Sequence, residues 1–126
     1  MKREETIKLT DEWIKSVPDI RGRIRLIDIS LKNDDYDINT MGKLKQERHE
    51  LYSKLSKTIK AIGTLSVDNQ KIICYRYFDK LKYKEISIRL GLHYNTIPRR
   101  IQKLLLDVGR IMFGFEEEFW NAIIDD

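Results

Sequence analysis

Ile86-Ser87-Ile88-Arg89-Leu90-Gly91-Leu92-His93-Tyr94-Asn95-Thr96-Ile97 is the most informative stretch of this 126-residue chain. Its apolar positions, Ile86, Leu90, Leu92 and Ile97, recur where two short-linked helices must pack on each other. Ser87 is small where such helices cross closely. Gly91 stands where a tight turn calls for a left-handed backbone, which glycine adopts without penalty. The layout is that of a helix-turn-helix, with a first helix over Tyr83 to Leu90 and a second starting near His93 to Asn95. An ordinary corner in a helical bundle is the plainer alternative.

The second helix separates into two faces. With Ile97 at zero and about 100° per residue, Ile101, Leu104 and Val108 lie within about 40° of it, and Leu105 at about 80°. These residues predict a buried face. Asn95, Thr96, Arg99, Gln102 and Lys103 point the other way, and Leu106 stands outward among them. Pro98 predicts either a late start with Asn95 as N-cap, which makes the proline the third helical residue, or a slight bend in the helix. A polar face of Asn, Thr, Arg, Gln and Lys can hydrogen-bond base edges in a DNA major groove. Asn95, Thr96, Arg99, Gln102 and Lys103 are therefore the candidate base-reading residues. Lys82, Lys84, His93, Tyr94, Arg100 and Arg76 are the candidate phosphate contacts.

Working outward, the fold reads as all-α. Trp13, Val17, Ile20, Ile24, Ile27 and Leu31 form one helical stripe. The spacing predicts a helix over 17–32, capped by Ser16 with Pro18 in its first turn, after a short helical piece near 10–15. The polar run 33–42 reads as a loop. Leu44, Leu51, Leu55, Ile59 and Ile62 predict a second helix over 43–62, ended by Gly63. The two helices form an antiparallel hairpin whose stripes can also serve dimerisation. Ser66 caps a central helix over 67–79. Gly114 ends the long helix, and an acidic helix is expected within 115–124. The expected organisation is a helical hairpin over 1–63, a helix-turn-helix domain over 64–114 and an acidic tail over 115–126.

Charge follows the same divisions. Residues 1–40 carry a net −1, residues 41–112 a net +10 and residues 113–126 a net −5. The basic middle suits a polyanion such as nucleic acid, although lysine-rich helices can also present a merely solvated face. Only 6 Gly and 2 Pro argue against a turn-rich β fold. A single cysteine, Cys74, allows no internal disulfide and fits a reducing cytoplasm. It reads as a core residue. No apolar run approaches a membrane span, and Met1 to Glu5 lacks the apolar core of a signal peptide. With two histidines, His49 and His93, and one cysteine, no zinc spacing exists. Asp34-Asp35 sits in a polar stretch without an apolar pocket, and no phosphate loop or nucleophile elbow occurs. Neither an enzyme nor a metal or other cofactor is expected.

Residues 65–108 resemble region 4 of bacterial sigma factors. They resemble still more the RinA/ArpU-type regulators of phages and mobile elements. The matching stretches are Leu65-Ser66, Tyr75-Arg76-Tyr77-Phe78, Lys84-Glu85-Ile86-Ser87, Leu90-Gly91-Leu92, Thr96-Ile97 and Arg99-Arg100. The resemblance implies promoter DNA binding and activation of phage genes, often late ones, with the RNA polymerase of a bacterial host. Lys82 and His93 replace the Ser or Thr usual at the two helix starts, Ser87 replaces Ala, and Pro98 replaces an ordinary helix residue. No counterpart of the promoter-melting sigma region is seen. The expected partners are double-stranded DNA, host RNA polymerase and a second copy of the chain. For the tail, the first expectation is that Phe115, Phe119, Trp120 and Ile123 dock on the N-terminal hairpin. The sharper one is that it contacts polymerase or covers the basic helix. A small terminase-like packaging subunit and a protein–protein module remain the alternatives.

Overall fold

The computed structural model describes residues 1–33 and 36–124. Seven α-helices run through them: α1 (Arg3–Lys15), α2 (Val17–Leu31), α3 (Ile38–Gly63), α4 (Val67–Ile73), α5 (Tyr83–Leu90), α6 (Thr96–Phe113) and α7 (Glu117–Ile124). A π-helical turn, Cys74–Phe78, prolongs α4. No strand occurs among the described residues, so the all-α expectation holds.

α6 is the axis of the molecule. Its buried stripe, Ile97, Ile101, Leu104, Leu105, Val108 and Met112, meets Ile14 of α1, Ala61 and Ile62 of α3, Ile72 and Ile73 of α4, Tyr77, and Ile86 of α5. Each such side chain stabilises the fold by roughly 1.5–3 kcal/mol on burial. This core joins α1 to the helix-turn-helix. Trp13 stacks edge-on against Phe113, with 4.9 Å between ring centres. Lys54 of α3 lies 4.7 Å above the same indole, so α1, α3 and α6 meet there.

α1 is longer than the short piece expected near 10–15. Its buried stripe is Thr6, Thr10 and Ile14, and the threonines are there because α6 passes at Gly109. A Cβ at Gly109 would collide with Thr10 Oγ1 and Thr6 Cγ2. The threonine hydroxyls are satisfied by their own helix, Thr6 donating to Lys2 O and Thr10 to Thr6 O. Leu106 is half-buried rather than outward.

Three further expectations are corrected. Ser16 does not cap α2 with its side chain. Its backbone is helical and its hydroxyl donates to Trp13 O at 2.7 Å, so α1 runs almost directly into α2. The expected loop 33–42 ends early, because Asp37 caps α3 by accepting from Thr40 N–H at 2.6 Å and the helix begins at Ile38. Asp34 and Asp35 lie outside the described residues. The tail aromatics make no ring contact with the hairpin among the described residues. Phe115, Phe119 and Trp120 cluster on one another and on Arg110, with Phe115, Trp120, Ile123 and Ile124 exposed.

α2 and α3 pack as the expected hairpin, tied by Arg23–Glu47 and Arg48–Asp28. Their seam is uneven. Ile20, Ile24 and Ile27 are buried, whereas Leu44, Leu51 and Leu55 are only half-buried and Leu26 and Ile29 face outward.

Candidate nucleic-acid interface

The α5–α6 corner is built as its sequence predicts. α5 starts after Lys82, whose N–H is held by the Glu85 carboxylate. It ends at Gly91, with φ at +66°. Leu92 N–H closes the turn on Ser87 O at 3.0 Å. Ser87 is buried, and its hydroxyl donates to Lys84 O at 2.7 Å. A Cβ at residue 91 would meet no atom, so glycine is required there by backbone angle and not by space.

Asn95 stands at the N-cap position of α6, but its side chain makes no capping bond. His93 organises the start instead. Its Nδ1 accepts from Asn95 N–H at 3.2 Å, and its carbonyl accepts from Thr96 Oγ1 at 2.7 Å. Pro98 is the third residue of the helix. N–H groups in the first turn have no intrahelical acceptor, so its missing donor costs nothing there.

The five candidate base-reading residues run from the N-cap position through the first two turns of α6. Asn95, Arg99, Gln102 and Lys103 are exposed and Thr96 is half-buried. The Arg99, Arg100 and Lys103 side chains make no ion pair or hydrogen bond among the described residues. Lys82, Lys84, His93, Tyr94 and Arg100 are exposed as well.

Arg76 and Gln102 are placed differently. Both line an open groove of about 840 Å³ between α1 and the helix-turn-helix, shared with Lys8, Asp11, Lys15 and Tyr83. Gln102 therefore sits at the α1 margin of the polar face. Arg76 is half-buried, lies 4.2 Å from the Tyr83 ring centre and donates to Leu81 O at 3.2 Å. It braces the 79–82 loop from within. The sequence reading passed over Lys80, which lines the same groove from that loop with a left-handed φ of 54°. The alternation Lys80, Lys82, Lys84 was the available signal.

Electrostatics divide α6. At its far end Arg110 donates to both carboxylate oxygens of Glu116, which is only 1% exposed. Those bonds hold the Glu116 pKa at about 2, against the desolvation that opposes it, with Arg3 adding a weaker attraction. The Phe115 and Phe119 rings lie 5.1 and 5.5 Å from the same guanidinium. Glu117 N–H donates to Met1 O, so the tail is fastened to the start of α1 as well. These contacts lie at the opposite end of α6 from Thr96.

Cys74 is half-buried in the π-helical turn, and burial raises its thiol pKa. His49 is exposed. Among the described residues no cluster of His, Cys, Asp and Glu could hold a metal ion, and no helix is long and apolar enough to cross a membrane.

Residues 55–107 match the family model of sigma-70, region 4. The match begins within α3 and ends within α6, under half of the chain. It contains the whole α5–α6 corner and all eleven candidate contact residues. No curated protein and no solved structure matches the chain. The C-terminal half is thus a helix-turn-helix similar to sigma-70, region 4.

Proposed function

We propose that this chain is a sequence-specific DNA-binding transcriptional regulator, a phage or prophage activator that works with host RNA polymerase. The observation that carries the reading is the exposed, internally unpaired cationic start of α6, set on a corner similar to sigma-70, region 4. α6 enters the major groove with Asn95, Thr96, Arg99, Gln102 and Lys103 toward base edges. Lys82, Lys84, His93 and Arg100 hold phosphates on either side. His93 uses Nδ1 internally, which leaves Nε2 for such a contact. Arg76 and Tyr83 keep the loop carrying Lys82 in place. The uneven α2–α3 seam, with Leu26 and Ile29 outward, supports pairing of two copies through the hairpin.

Selection of bound duplexes from a random library at near-physiological salt tests the reading. A recovered motif that Arg99→Ala loses supports it, and a two-fold repeat in the motif supports the dimer. Folded protein that recovers no motif contradicts sequence-specific reading. Transcription from a template carrying the motif, with host polymerase, tests activation.

A further inference from the structure

The turn before α6 carries two adjacent aromatic rings in the open. The His93 and Tyr94 rings are stacked, with centres 5.3 Å apart and planes inclined by 20°. His93 is fixed at both its ring nitrogen and its carbonyl, through Asn95 N–H and Thr96 Oγ1. Tyr94 rests on it and is 55% exposed, and its hydroxyl makes no hydrogen bond among the described residues. An aromatic side chain of this size gains nothing in the free protein from standing in water. Held by a stack, it loses little rotamer freedom when it meets a ligand, as a contact residue should.

Its position says what it meets. Tyr94 directly precedes Asn95, at the end of the helix whose first residues reach base edges. Of all the groups on the major-groove floor, the thymine C5-methyl is the apolar one. We infer that Tyr94 is a base-reading residue whose ring packs on a thymine methyl, with His93 as the positioning residue beneath it. This rests on the reading that α6 enters the major groove. It replaces the phosphate role expected for Tyr94 with one that uses the ring and not the hydroxyl.

Uracil, placed singly at each thymine of the selected duplex, removes the methyl and keeps every hydrogen-bonding group. Affinities are measured for the unaltered chain, Tyr94→Phe, Tyr94→Ala and His93→Ala by fluorescence anisotropy. One thymine should show a penalty of about fourfold with the unaltered chain and with Tyr94→Phe, the effect of one buried methyl. Tyr94→Ala should show almost none at that position. His93→Ala should show a reduced penalty there, in addition to any loss it causes equally on every duplex. A motif without such a thymine, or a penalty that persists in Tyr94→Ala, overturns the inference and leaves sequence reading by α6 standing. Equal loss of affinity in Tyr94→Phe and Tyr94→Ala assigns the hydroxyl to a phosphate and also overturns it. A chain that selects no motif removes both readings.

Discussion

The two halves of α6 share one helix and one apolar stripe, yet their arginines live differently. Arg99 and Arg100 stand in water with no partner among the described residues. Arg110 is held by both oxygens of Glu116 and flanked by two phenyl rings. Nothing in residue type separates them. Their surroundings do: α1 crosses α6 at Gly109 and the tail closes on Arg110, so the second half is wrapped and the first half is bare. A helix that must both hold a fold and present charge can divide the tasks along its length.

Breaking the wrapped half should cost the most. Glu116→Ala leaves Arg110 among apolar rings without its counter-ion and should destabilise the chain by about 2–3 kcal/mol in urea unfolding. The sign of the pH dependence follows from the depressed Glu116 pKa. Stability from this pair is fully present above the ordinary carboxylate range and is lost as pH falls toward 2. Urea midpoints of the unaltered chain should fall over that window, with a smaller fall for Glu116→Gln. Gly109→Val forces a side chain into Thr6 and Thr10 and should cost about 2 kcal/mol by the same assay.

Changes at the exposed Arg99 of the bare half, and at the exposed Lys84 of α5, should leave unfolding within about 0.5 kcal/mol and act on binding alone. Arg99→Ala should weaken the selected site by about 1–3 kcal/mol and random duplex little. Equal loss on both would reduce Arg99 to a backbone contact. Lys84→Ala should weaken all duplexes alike and lower the salt slope by about 1.

The corner was legible because its residues are constrained one by one. Gly91 needs its positive φ, Ser87 needs to be small, and Pro98 is tolerated only in a first turn. Tyr83–Leu90 falls where its apolar spacing put it. The start of α1 was not legible, since its buried stripe uses Thr6 and Thr10 where a period search looks for Leu or Ile. The start of α3 was hidden by polar residues 38–42, and the deciding Asp37–Thr40 cap resembles any turn in a polar run. The tail misled for another reason. Its aromatics share a face, but Glu116 is the tail residue that packs inside, and its partner Arg110 is six residues away on another element. Among the candidate contacts, the exposure of the polar face followed from helix phase. The internal use of Arg76 did not, because it depends on the Leu81 carbonyl and Tyr83 ring across the loop.

The division of α6 can be mapped directly by backbone amide NMR of the full chain, titrated with a duplex carrying its selected motif. The account predicts the largest shifts at Lys82, Lys84 and from His93 to Lys103, with residues 104–113 nearly unmoved. Shifts concentrated on α3 or α7, with the start of α6 unchanged, would contradict it.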